Sequence, residues 1–145
     1  MPKTFPAALF AAFLLPAAAS AETVLRYSDH QPADQMRTQF LKDVFFPAIE
    51  TESNGRLKID DHWDGELAAP YYALDTVSTG EIADMATAVP EYTAEALPLH
   101  QIFKSFPVGP SAADQVSFFR QVYAEVPELT AEFADNNVVP IFLGT

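Results

Sequence analysis

Cysteine is absent from the 145 residues, which excludes disulfides, zinc–thiolate sites and thiol nucleophiles. Glycine is scarce, at five, so a backbone cradle for phosphate has little to be built from. Basic residues are few as well. Eight Lys and Arg stand against twenty Asp and Glu, for a formal charge of −12 and a pI near 4.3. That balance excludes a nucleic-acid partner, whose phosphates call for a basic face, and an anionic membrane surface. It reads as a solvated acidic surface, and it leaves room for an anionic small ligand where local groups oppose the global charge. No G-x-S-x-G elbow, Walker loop, G-x-G-x-x-G or H-E-x-x-H occurs, so catalysis has no motif behind it.

What is present is a single domain's length of chain. Hydrophobic residues make up 49%, with Phe 12 and Tyr 5, enough for a packed core and against disorder. The one long apolar run is Phe5 to Ala19, preceded by Lys3 and followed by Ala19-Ser20-Ala21. Pro6 and Pro16 interrupt it, and it falls short of the roughly 17 residues needed to span a bilayer. It reads as an export leader over residues 1–21 with a small-x-small cleavage pattern. The mature chain, 22–145, then starts at Glu22 and is one unit more negative, since Lys3 is the only charge lost.

Along the mature chain, Thr23 to Ser28 alternates and is β-rich, a first strand. Asp29-His30-Gln31-Pro32 follows as a loop, with Asp29 or Asp34 placed to cap the next helix. From Ala33 to about Ser53 the period is helical. Met36, Phe40 and Val44 lie four apart and Leu41 and Phe45 thicken the same face, with a kink or split expected near Phe46 because of Pro47. Asn54-Gly55 is a helix stop. Arg56 to Asp60 predicts a second strand, and Asp64-Gly65 a turn. Pro70 opens a helix whose predicted core face is Tyr71, Leu74, Val77 and Ser78, and Gly80 closes it. Ile82 to Ala88 predicts a buried third strand ended by Pro90, whose exit is where an open α/β sheet places ligands. After a break at Val108-Gly109-Pro110, Ser111 or Asp114 caps a helix carrying Val116, Phe119, Val122 and Tyr123. Pro127 separates it from a shorter helix with Leu129 and Phe133. Asn136-Asn137 turns into a fourth strand, Val138 to Leu143. This order predicts an α/β fold, a largely parallel sheet flanked by helices.

The chemical clusters are sparse. Asp60, Asp61, Asp64 and Glu66 form the densest acidic group, but the spacing misses the calcium-loop pattern and reads as a solvated turn. A small hydrolase using Asp64 and Glu66 lacks any supporting signature. His30, His62 and His100 are scattered and read as loop or surface residues, and Arg26, Arg37, Arg56 and Arg120 as strand or helix surface. Trp63 and Tyr92, in loops, read as exposed contacts.

An ordered set of segments then carries a resemblance. LRYSDH in the first strand, NGRLKI in the second, GEL before a helix, VSTGEIADM, and YTAEALPLHQIFKSFP together resemble the solute-binding proteins of tripartite ATP-independent periplasmic (TRAP) transporters, the DctP-type family. The likeness covers essentially all of 22–145. It implies a periplasmic-binding-protein-like lobe, a hinged cleft that closes on an organic acid such as a dicarboxylate, and delivery to membrane permease subunits from the periplasm. It implies no catalysis, no cofactor and no metal. By position it assigns Asp29, His30 and Gln31, then Val89, Pro90, Glu91 and Tyr92, and Ala69, Pro70 and Tyr71 to the cleft wall. Of these, Asp29, His30, Gln31, Tyr71, Val89, Glu91 and Tyr92 are the expected ligand-binding residues. Two features depart from the family. Ala68 stands where the family usually has Gly. Members are also roughly twice this length, as two lobes require, and their ligand-gripping arginine lies beyond VVPIFLGT. The expectation is an N-terminal lobe, truncated before the second; the alternatives are a freestanding secreted binding or sensory module and a non-functional remnant.

Overall fold

The computed structural model describes residues 21–105 and 113–141. The expected leader up to Ser20, the segment from Phe106 through the Ser111 cap, and the last two residues of the expected fourth strand lie outside them. Strand β1 is Thr23–Ser28, followed by helix α1 (Met36–Phe40), a π turn (Leu41–Phe45) and helix α2 (Phe46–Glu52). Strand β2 is Leu57–His62; a 3-10 turn, Pro70–Tyr72, leads into α3 (Ala73–Thr79) and strand β3 (Met85–Ala86). Two further 3-10 turns, Pro90–Tyr92 and Leu99–Gln101, precede α4 (Ile102–Ser105), α5 (Ala113–Glu125) and α6 (Pro127–Asp135). The sheet has the order β2-β1-β3 and is parallel throughout, pairing Thr23 with Leu57 through Ser28 with His62, and Ser28 with Ala86. Parallel pairing with helical crossovers brings the carboxyl ends of all three strands to one edge.

Two apolar clusters hold the layers. One is Tyr27, Leu41 and Phe46, with Phe45, Ile49, Ile59, Trp63 and Met85 against it. The other is Leu74, Leu97 and Phe133, with Ala96, Tyr123 and Val138. Trp63, expected as an exposed contact, therefore packs edge-on to Tyr27 with centroids 5.4 Å apart, and its indole N–H donates to Asp61 at 2.5 Å.

The first helix keeps Leu41 and Phe45 of its expected face in the core and turns the rest outward. Met36, Phe40 and Val44 are 89%, 48% and 53% exposed, whereas Thr38, Leu41 and Phe46 are buried. The π turn sets the buried positions Leu41 and Phe46 five apart and so shifts the core face beyond it; Met36 and Phe40 lie ahead of it and face outward. Pro47 sits in the first turn of α2, where its missing N–H leaves no broken bond. The register shift thus absorbs the proline within an unbroken run of helix. Neither Asp29 nor Asp34 caps α1; its N-cap is Gln35, without a side-chain bond.

Helix endings follow the expected chemistry. Asn54 and Gly55 both have positive φ, 56° and 72°, and the Gly55 N–H returns to the Glu50 carbonyl. Gly80 ends α3 in the left-handed conformation. On that helix Leu74, Ala73 and Thr76 are buried and Tyr71, in the turn before it, points out at 62% exposure, so Tyr71 leaves the expected core face.

β3 is shorter than expected. Met85–Ala86 forms the strand, extended by the Asp84 N–H to the Arg26 carbonyl and the Thr87 N–H to the Ser28 carbonyl. Residues 80–84 wrap the Arg26 guanidinium instead, which donates to the Gly80 and Glu81 carbonyls and the Asp84 carboxylate. Ile82 is consequently half exposed, while Ala83 is buried. Residues 138–141 form no strand. The Val138 N–H closes onto the Phe133 carbonyl at the end of α6, Asn137 takes a positive φ of 56°, and Pro140 has no N–H to donate.

Candidate functional site at the strand exits

The carboxyl edge of the sheet is organised by Asp29, the first residue after β1. Its carboxylate is fully buried and accepts from the Tyr27 hydroxyl (2.6 Å), both terminal nitrogens of Arg37 (2.9 and 3.0 Å) and the Gln31 N–H (2.9 Å). Burial alone would raise this carboxyl; the bonds from Arg37, Tyr27 and the Gln31 amide together outweigh it and hold it below the usual carboxylate range. Burial, with Asp29 alongside, pushes the Tyr27 phenol up. Thr87, just past β3, shares a 2.6 Å bond with the Tyr27 hydroxyl and accepts from Arg37 at 3.1 Å. Backbone bonds complete the edge: the Asp64 N–H donates to the Gln31 carbonyl and the Gly65 N–H to the Asp29 carbonyl. The Asp64-Gly65 turn runs at positive φ, 56° and 71°. The bidentate ion pair thus ties the exits of β1 and β3, through Asp29 and Thr87, and backbone bonds join the exit of β2 to them. Arg37 and Thr87 escape sequence reasoning because an Asp and an Arg eight positions apart across a loop have no motif; only the fold makes them partners.

On the outside of this edge lies an aromatic face. Tyr71 and Tyr92 rings are 4.9 Å apart at 42°, and His30 meets Tyr92 edge-on at 6.3 Å. Tyr71 and Tyr92 are 62% and 42% exposed. His30 Nδ1 is buried without a hydrogen-bond partner, 3.9 Å from Asp29. The structure therefore brings His30, Tyr71 and Tyr92 together, with Gln31 beside them through its backbone. Val89 is half buried as the N-cap of the Pro90–Tyr92 turn. Glu91 turns toward the helices: its carbonyl accepts from the Lys104 ammonium at 2.6 Å, and its charge reaches Tyr123.

The Tyr92 turn is supported from behind by a network the sequence hides. Gln101 donates to the Pro90 carbonyl. Its neighbour His100, expected at the surface, is fully buried, with Nδ1 2.7 Å from a Glu132 oxygen and Nε2 2.8 Å from the Tyr123 hydroxyl. Glu132 also accepts from the Leu99 and His100 N–H groups. Burial would raise Glu132, and these donors outweigh it and lower it. Tyr123 is pushed up to about 12 by burial, then by the charges of Glu132 and Glu91. Two backbone N–H donors on one carboxylate make this a structural linkage between α6 and the 99–101 turn. His62, by contrast, sits near the surface between Asp60 (3.2 Å) and Glu66 (3.1 Å), and those contacts raise its pKa.

Among the described residues, no three His, Asp or Glu converge as a metal site, and no helix is long and apolar enough to cross a membrane. A separate open groove of about 340 Å³, lined by Val116, Arg120, Tyr123, Thr130 and Ile141 among others, lies against α5 and α6, away from the strand exits.

Solved structures supply the comparison. The chain superposes on a TRAP periplasmic solute-binding protein from Roseobacter denitrificans with a TM-score of 0.62 at 24% identity, over 79% of this chain and 35% of that one. Two proteins of the same description from Desulfovibrio salexigens match with TM-scores of 0.61, at 19% and 14% identity. The chain shares the TRAP solute-binding fold. It spans about a third of the length of those proteins. The Roseobacter structure holds 3-deoxy-D-manno-oct-2-ulosonic acid and one of the Desulfovibrio structures diglycerolphosphate. No protein-family model matches this chain, and no curated protein does.

Proposed function

We propose that this chain supplies one wall of the ligand cleft of a TRAP-type solute-binding protein, with the other wall facing it across a hinge. In this reading the protein captures a small organic acid outside the cytoplasm and hands it to membrane permease subunits, without catalysis. Residues 1–21 act as the cleaved leader and the mature chain works in the periplasm. The observation that carries the reading is the convergence of His30, Tyr71 and Tyr92 on the carboxyl edge of a parallel sheet in this fold, the edge where α/β sheets take ligands. Gln31, Val89 and Glu91 border that edge. Asp29 acts from beneath, because all its lone-pair directions are already engaged.

The test is a titration of the isotopically labelled chain, followed by amide NMR, with a millimolar panel of dicarboxylates, keto acids and sugar acids. At least one compound is expected to move the amides of residues 29–31, 71 and 89–92 together. Shifts confined to the groove beside Arg120 and Ile141 would contradict the proposal.

A further inference from the structure

The groove against α5 and α6 has a chemistry of its own. Its volume, about 340 Å³, is that of a small-molecule site, and so is its make-up. The walls are mostly apolar, from Val116, Val139, Pro140 and Ile141, with Arg120 and Thr130 as polar groups. Val139 and Ile141 are 80% and 72% exposed, so among the described residues nothing covers this lining. Most of the described cations are engaged: Arg26 by Asp84, Arg37 by Asp29, Lys58 by Glu22, and Arg56 and Lys104 by backbone carbonyls. Arg120 has no hydrogen bond or ion pair among the described residues. A guanidinium offers five N–H donors in a fork that fits a carboxylate. Tyr123 forms the adjoining wall, with its hydroxyl 2.8 Å from the His100 ring. The Glu132 carboxylate lies behind that ring and accepts from Leu99 and His100, which leaves Arg120 unpaired. Charges elsewhere on this acidic chain are screened beyond about 8 Å at physiological salt, so the local cation decides what the groove attracts.

We propose that this groove is a second binding site, one for a small monocarboxylate with an apolar tail. The carboxylate pairs with Arg120, and the tail lies along Val116, Val139 and Ile141. A dicarboxylate or a sugar acid fits poorly, because its far acid group or its hydroxyls would lose water against aliphatic side chains without gaining a partner. The site is therefore separate from the strand exits in place and in ligand chemistry, and neither reading depends on the other. His100 reports on the groove: its ring is fully buried, and the Tyr123 hydroxyl links it to the lining.

The probes are hexanoate and its uncharged counterpart hexanol, each titrated into the full chain at pH 7. The methyl signals of Val116, Val139 and Ile141 and the His100 ring signals are followed by NMR. Both probes are expected to move these signals, with hexanoate the tighter by about three-fold, the worth of one solvent-accessible ion pair. R120Q is expected to bring hexanoate down to the affinity of hexanol and to leave hexanol unchanged. Its thermal midpoint should stay close to that of the parent, because Arg120 is exposed and unpaired. The amides of residues 29–31 and 89–92 are expected to stay in place throughout. Hexanoate binding no tighter than hexanol, an equal loss of both in R120Q, or no shift from either would overturn the proposal and leave the cleft-wall reading untouched. Hexanoate moving the strand-exit amides and not the groove methyls would overturn it as well.

Discussion

At the scale of single residues, the edge stands on Asp29 and Arg37. Removing one partner of a buried pair leaves an uncompensated charge, which costs about 3–5 kcal/mol; with Arg37 a third exposed, R37A is expected to destabilise by about 3 kcal/mol in urea unfolding. The pH dependence carries the sign. In the parent, the folded Asp29 carboxyl lies below its unfolded value, so its contribution is complete above about pH 4 and is lost as pH falls through the folded value. Glu132 behaves alike. In R37A, burial is opposed by fewer donors, so the Asp29 carboxyl rises and protonation relieves the strain. The stability gap between parent and variant is therefore expected to narrow below about pH 4; a gap that widens there would contradict the assignment. This is also the scale at which the sequence says least. His100 and Arg37 look like surface residues, and Thr87 like one more position of a buried strand, because their partners are met only across the fold.

At the scale of elements, the corrected face of the first helix is testable by a pair of substitutions. L41A is expected to cost about 3 kcal/mol as a buried Leu truncation, while M36S at an 89% exposed position should stay within about 0.5 kcal/mol. The reverse ranking would restore the stripe of apolar residues four apart. Gly80 offers a cleaner case. A Cβ there meets nothing within 4 Å, so G80A carries only the left-handed backbone penalty, about 1 kcal/mol, and G80N is expected to cost less. Strands β1 and β2, the Asn54-Gly55 and Gly80 stops and the Asp64-Gly65 turn are legible in the sequence because each is a local preference. The length of β3 and the loss of strand at 138–141 are not. Both turn on which backbone groups are claimed elsewhere, by the Arg26 guanidinium in one case and the end of α6 in the other.

At the scale of the whole molecule, the two apolar clusters and the parallel sheet place the exits of β1, β2 and β3 on one edge, and the 99–101 turn braces that edge from α6. The order of elements and the fold class can be read from the alternation of strand and helix patterns, and the resemblance to TRAP solute-binding proteins is matched by the solved structures. The aromatic wall is only half legible: His30, Tyr71 and Tyr92 follow from position in the fold, whereas the engagement of every nearby cation depends on tertiary contacts. The most direct measurement is a crystal structure of this chain grown with glucuronate. The ligand is expected against Tyr71, Tyr92 and His30 at the strand exits. A ligand seated in the groove beside Arg120, with the strand exits empty, would contradict the assignment of this edge as the binding wall.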